Sequence, residues 1–248
     1  MTFRIEIIVK DNPQLLAETA CHILVRTAER CVKKKDRFVM AVSGGATPRG
    51  MFRLLPEGPY DSEIPWRKTH IFWVDERCVP ETDPASNYGA AKIDFLDRVP
   101  IPKTQIHPMV TKEPPEVAAR IYEKKLIQFF QRNGDPYPSF DLIFLGLGPD
   151  GHAASLFPGH AALDEIHRLV VAVKGGTPYM NRLTLTLPAL NRASHILFMV
   201  SGKGKASILK RILEGEEMTL PAKKIRPVNG PLTWLLDKDA ASLLHPIP

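Results

Sequence analysis

The chain has 248 residues and a 44% hydrophobic content, which is enough for one large α/β domain with a real core. Its net charge of +6 comes from 33 basic against 27 acidic residues, and the densest basic runs, residues 33–35 and 223–226, carry no interleaved aromatics. No nucleic-acid motif accompanies those runs, so they read as a solvated surface or as complements to a small anionic substrate. No apolar run approaches the length of a membrane span. Cys21, Cys31 and Cys78 suit neither a disulfide framework nor a zinc site.

Residues 1–10 alternate apolar and polar side chains and predict a first strand. They lack the apolar block and cleavage site of a secretory signal, so a soluble cytoplasmic protein is expected. Leu15, Leu16, Ala20, Ile23, Leu24 and Ala28 recur with a helical period over residues 13–32. A buried strand at Phe38–Val42 then runs into Ser43-Gly44-Gly45-Ala46-Thr47-Pro48. Two glycines there let the backbone turn tightly and present amide hydrogens, with Thr47 expected to cap the next helix and Pro48 to sit in its first turn. A glycine loop feeding a helix N-terminus is an anion site, although the Gly-Lys-Ser/Thr of a Walker loop is absent and an ordinary strand-to-helix turn reads equally well.

A strand over residues 69–74 ends in Asp75-Glu76-Arg77-Cys78-Val79-Pro80. Two acids and an arginine at a strand's carboxyl end are more than a solvated turn needs; the plainer alternative is an acid–arginine pair that fixes a loop. Ser86-Asn87-Tyr88 opens a helix, and residues 114–130 form another, with Val117, Ile121, Leu126 and Phe129 on its apolar face.

The most informative stretch is FDLIFLGLGPDGHAASLFPG, residues 140–159. The apolar run Leu142–Leu145 is a buried parallel strand broken by Gly146 and Gly148, so Asp150 and His152 fall just beyond a strand's carboxyl end, where open α/β sheets bind ligands. Histidine is the side chain best matched to proton transfer near neutral pH. Gly146, Gly148 and Gly151 also spell the dinucleotide fingerprint. Pro149 and Asp150 interrupt it, and the next strand, residues 169–173, ends in Lys174-Gly175-Gly176 with no acid to hold a ribose. Ser43 and Ser155 lie in no nucleophile elbow, so an acyl-enzyme is not expected. His70 and His195 fall in strand patterns, His107 in a proline-rich loop, and His160 and His167 near a polar helix.

Strands follow over residues 182–187 and 195–200, then Ser201-Gly202-Lys203-Gly204-Lys205, a helix over 205–213, a strand over 233–236 and a helical turn over 240–244. Arg182 and Lys205 each reach far enough to hold a phosphate, Arg as a fork and Lys as a point charge. The alternation of strands and helices predicts a Rossmann-like, doubly wound α/β fold: a mostly parallel sheet with helices on both faces. No linker divides the chain, so residues 1–248 are expected to form a single domain.

The segments SGGATP, VDERCVP with SNYG after it, LGLGPDGHAASLFPG and GKGKA, in this order and spacing, resemble the 6-phosphogluconolactonase family. The resemblance covers the chain from Phe38 to the terminal PLTWLLDKDAA. The wider superfamily includes glucosamine-6-phosphate deaminase/isomerases, which share the glycine loop and the Asp-Gly-His. The deaminases carry Asn-Glu-Pro where this chain has Leu156-Phe157-Pro158, and Asp-Glu-Tyr where it has Asp75-Glu76-Arg77. Both differences favour the lactonase. Ala46 stands where serine is common in the lactonases, and Ala153 where threonine is usual.

The resemblance implies hydrolysis of 6-phospho-D-glucono-1,5-lactone. His152, Asp150 and Arg77 are the expected catalytic residues. Ser43, Gly44, Gly45, Thr47, Asp75, Arg182 and Lys205 are expected to bind the substrate and its phosphate. No metal, cofactor, nucleic acid or membrane is expected, and a monomer is expected rather than a stable oligomer. A sugar-phosphate-binding regulator on the same scaffold is the remaining non-enzymatic reading.

Overall fold

Local sequence signals set the first elements. In the computed structural model, which describes residues 4–135 and 137–245, Asn12 caps the first helix by accepting from the Leu15 amide at 2.9 Å. Lys33, Lys34 and Lys35 fill its last turn, where cations complement the helix dipole, and Asp36 closes it at φ +56°. The helix therefore runs three residues past its expected end.

Among the described residues the strands are β1 (Arg4–Lys10), β2 (Phe38–Val42), β3 (Thr69–Trp73), β4 (Asp75–Arg77), β5 (Ile106–His107), β6 (Leu142–Leu145), β7 (Val170–Gly175), β8 (Met180–Leu185), β9 (Ile196–Val200) and β10 (Pro231–Asp237). The α-helices are α1 (Pro13–Lys35), α2 (Ala46–Phe52), α3 (Tyr60–Glu63), α4 (Asn87–Ala91), α5 (Pro115–Arg132), α6 (Leu187–Leu190) and α7 (Ala206–Leu213). Residues 1–3 of the expected first strand lie outside the described residues.

Seven strands form one parallel sheet in the order β1-β10-β9-β6-β2-β3-β5. β2, β6 and β9 are buried at every position, as continuous apolar runs predict for strands covered on both faces. Phe72 packs against Tyr122, Phe129 and Phe130 of α5, whereas its neighbour Trp73 meets Tyr88 of α4. Adjacent strand residues point to opposite faces, so α4 and α5 lie on opposite sides of the sheet. From β2 the chain winds outward through β3 to β5, whereas β6, β9 and β10 lie on the other side. The winding reverses between β2 and β6, and the crevice beyond their carboxyl ends is the place such sheets reserve for ligands.

The alternation of strand and α-helix fails between β3 and β4 and across β6, β7 and β8. β7 and β8 form an antiparallel hairpin and, with β4, a separate three-stranded sheet. The four residues between β7 and β8 are too few for a parallel crossover. The strand expected over residues 69–74 accordingly divides. Val74 donates to Val42 O at 3.0 Å in the large sheet, while its own carbonyl accepts from Leu185 of the small one at 2.7 Å. Two smaller expectations are corrected. His107 lies in strand β5, paired to β3, rather than in a loop. α5 buries Ala118, Ala119, Tyr122, Leu126 and Phe130 and leaves Val117 and Ile121 exposed. Hydrogen-bonded turns occupy residues 238–243, where a helical turn was expected over 240–244, with the Ala241 amide donating to Asp237 O at 3.0 Å.

Candidate active site

A cavity of about 330 Å³ opens at the β2–β6 crevice. Ser43, Gly44, Gly45 and Thr47 line it from the loop after β2, Asp75 and Arg77 from β4, His152 from the loop after β6, Arg182 from β8, and Lys205 from the segment before α7. The structure thus brings nine of the ten expected site residues to one wall system. The tenth, Asp150, stands outside the lining and acts on it through His152.

His152 is held by its own loop. Asp150 Oδ1 lies 2.6 Å from His152 Nδ1 and accepts from the His152 amide at 3.1 Å. A carboxylate at Nδ1 fixes the proton there and leaves Nε2 with its lone pair, the tautomer a general base needs. The imidazole lies against Gly148, where an added Cβ would be 2.1 Å from His152 Nδ1. Glycine at 148 is therefore a condition for the ring's placement. On its other flank the Phe157 ring packs at 4.8 Å between centroids. Phe157 also lies 5.6 Å beneath the Arg182 guanidinium, so this aromatic packs between the imidazole and a cation that its ring face attracts.

β4 and β8 place Arg77 directly opposite Arg182. Like charges facing each other across a strand pair are unfavourable on their own. Burial, then the nearby Arg77 charge, depresses the Arg182 pKa, with Asp75 and Glu76 opposing. Arg182 Nε donates to Gly175 O at 3.0 Å, and Arg77 Nε is buried without a partner. Two guanidiniums so placed complement an anion. Lys205 adds a third cation. Its Nζ donates to Leu147 O at 2.7 Å, and burial lowers its pKa against the pull of Asp150. Asp237, at the end of β10, sets this side by accepting from Ser201 Oγ at 2.5 Å and from the Gly202 amide at 3.0 Å. That gives the terminal PLTWLLD strand a role in the site.

The glycine loop differs from expectation in one respect. Gly45, not Thr47, occupies the cap position of α2, and no side chain caps it. Thr47 lies inside the first turn but still lines the cavity. α2 is anchored by Arg49, whose Nε lies 2.5 Å from the buried Asp94.

Glu76 braces the arginine rather than touching the cavity. Its carboxylate accepts from the amides of Arg77 at 2.8 Å, Asn87 at 2.7 Å and Tyr88 at 2.8 Å, and from Ser86 Oγ at 3.2 Å. Burial pushes its pKa up from 4.5 to about 7 against those amides, with Asp75 adding to the rise. A raised folded-state pKa means that the neutral carboxyl favours the fold. This stabilisation is fully present below pH 4.5 and is lost as pH rises to about 7. Glu76→Gln is expected to remove that pH dependence, whatever its absolute stability. The gap in Tm between wild type and variant should shift between about pH 5 and about pH 7.5; a constant gap would contradict the assignment.

Two other readings end here. No helix opens on Gly151, so Gly146, Gly148 and Gly151 do not form a dinucleotide turn. Ser155 is fully buried and donates to Asp75 Oδ2 at 2.6 Å, which makes it a support and not a nucleophile. Asp75, expected as a substrate ligand, spends that oxygen on Ser155. Among the described residues no group of three or more His, Cys, Asp or Glu is placed to hold a metal, and no helix is long and apolar enough to cross a membrane. Asn87 and Phe157 carried no assigned role in the sequence. Asn87 sits in the SNYG segment and read as part of a helix start; in the fold Ser86 is the cap, and the Asn87 side chain turns into the cavity.

The family described as glucosamine-6-phosphate isomerases/6-phosphogluconolactonase matches residues 11–234. The 6-phosphogluconolactonase of Synechocystis sp. is 41% identical over 239 residues, 95% of this chain and 96% of the relative. That of Homo sapiens is 41% identical over 244 residues, 95% of this chain and 92% of the relative. The crystal structure of 6-phosphogluconolactonase from Thermotoga maritima superposes with a TM-score of 0.83 at 29% identity, covering 95% of this chain and all of that one.

Proposed function

The chain belongs to the glucosamine-6-phosphate isomerase/6-phosphogluconolactonase family, and from that premise we propose that it hydrolyses 6-phospho-D-glucono-1,5-lactone to 6-phosphogluconate with His152 as general base. The reaction belongs to the oxidative part of the pentose phosphate pathway. The observation that carries the mechanism is the Asp150–His152 pair at 2.6 Å beside a cavity bearing Arg77, Arg182 and Lys205.

His152 Nε2 takes a proton from water as the water oxygen bonds to the lactone carbonyl carbon. The carbonyl π electrons move to its oxygen, and Arg77 orients the substrate or balances that negative charge. As the carbonyl re-forms, the bond to the ring oxygen breaks, and His152 returns its proton to that oxygen. The product is an open-chain acid with a new hydroxyl, and the imidazole is neutral again. Asp150 stabilises the transient imidazolium. Arg182, Lys205 and the residue 43–47 loop hold the phosphate, so that its binding energy fixes the carbonyl against the base. Asp75 orders this wall through Ser155 and Asn87.

The deaminase reading lacks its carboxylate, because Phe157 stands where the resemblance places it and offers the imidazole only an apolar face. We also propose that residues 1–248 work as a single domain, as a cytoplasmic monomer that binds neither cofactor nor nucleic acid. Purified protein is expected to accelerate lactone hydrolysis above the spontaneous rate and to release no ammonia from glucosamine 6-phosphate. The reverse pair of results would replace the lactonase reading with the deaminase one.

A further inference from the structure

Asn87 ties together three segments that the reaction needs in register. The residue is 4% exposed yet lines the cavity. Nδ2 donates to the Asp75 carbonyl oxygen at 2.9 Å and reaches Asp75 Oδ1 at 3.4 Å. With the nitrogen committed to Asp75, the hydrogen-bond partners assign the amide's orientation. Its oxygen Oδ1 then accepts from Arg77 Nη1. On a third side the amide fills the space above Gly44, where an added Cβ would lie 1.8 Å from Asn87 Oδ1. The main chain is clamped independently by Glu76, and Ser86 caps α4, so neither task falls to the Asn87 side chain.

Arg77 needs such a partner. Its other guanidinium contact is Ala85 O at 3.1 Å, and among the described residues Asn87 is the side chain that holds it. A guanidinium held at one edge by a main-chain oxygen keeps several rotamers, and positioning is lost with them. The requirement is for one donor and one acceptor on a single-methylene stem. Aspartate lacks the donor and would add a third carboxylate beside Asp75 and Glu76. Alanine offers neither group.

We propose that Asn87 is the positioning residue for Arg77, its amide oxygen holding the guanidinium at the cavity wall while its amide nitrogen locks that hold to Asp75 and its body seats against Gly44. The inference rests on Arg77 acting on the lactone. It explains why glycine stands at 44 by a close approach as well as by phosphate contact, and it gives the SNYG segment a chemical task.

The test is a double-mutant cycle on the purified full chain, with kcat and KM measured for wild type, Arg77→Ala, Asn87→Ala and the double variant. Asn87→Ala is expected to lower kcat/KM by about 10- to 100-fold, through the same parameter that Arg77→Ala affects. In the Arg77→Ala background the second substitution should change it by less than about threefold. Asn87→Leu, which keeps the branched shape over Gly44 without donor or acceptor, goes through the same cycle so that a poorly folded alanine variant does not decide the matter; its loss should also vanish without Arg77. Multiplicative losses in the double variant, or an Arg77→Ala enzyme as active as wild type, would overturn the proposal. Wild-type protein with no acceleration at all would instead overturn the lactonase reading on which it stands.

Discussion

His152→Ala is expected to lower kcat by about 10²–10⁴-fold while leaving KM nearly unchanged. The substitution removes the one cavity group placed to accept a proton from water with its tautomer already set, through Asp150 Oδ1 at 2.6 Å. It leaves Arg77, Arg182 and Lys205 where they are, so binding of the phosphorylated lactone persists. The floor is the spontaneous hydrolysis of the lactone, which must be subtracted at every substrate concentration. An alanine variant with near wild-type turnover would show that water attacks without His152 and that the imidazole is only a wall.

Lys205→Ala is expected to do the opposite, raising KM by about 10- to 100-fold with kcat less affected, the signature of lost ground-state and transition-state binding together. Lys205 is the cleaner probe of the phosphate corner. Its replacement frees only the Leu147 carbonyl, which can turn to water. Arg182→Ala should raise KM as well, but it also strips a donor from Gly175 O and uncovers the Phe157 ring beside His152. A fall in thermal stability and in kcat should therefore accompany it. Steady-state kinetics on both variants decide the point: a kcat loss without a KM change in Lys205→Ala would move that lysine from the phosphate to the reacting carbonyl.

Much of this was legible in the residues. Buried strands read as such because β2, β6 and β9 are short continuous apolar runs, each followed within two residues by a glycine. The catalytic loops read as such because chemistry-bearing residues follow those runs directly. What escaped was long-range pairing. Nothing in residues 69–77 alone says that Val74 leaves one sheet for another, since that depends on Leu185, more than a hundred positions away. The hairpin at β7 and β8 was foreshadowed by Gly175-Gly176-Thr177-Pro178, a turn signal with no room for a helix, yet strand pattern alone does not specify a partner.

The missed site residues share that character. Asn87 acts through contacts with Arg77 and Gly44, and Phe157 through contacts with Arg182, from another segment, and with His152, five residues before it. Sequence spacing found the residues that touch substrate in the proposed mechanism, because their types are chemically loaded. It did not find those that aim them, because an asparagine at a helix start and a phenylalanine before a proline have ordinary structural uses. The face of α5 was hidden for a related reason: the small alanines at 118 and 119 are buried, while the bulkier Val117 and Ile121 are left in solvent.

The most direct measurement is the initial rate of hydrolysis of 6-phospho-D-glucono-1,5-lactone and of the same lactone without its phosphate. Wild type and His152→Ala are compared side by side, each corrected for the spontaneous reaction. Acceleration by wild type is expected to require both the phosphate and His152. Equal acceleration of the two lactones, or acceleration that survives in His152→Ala, would contradict it.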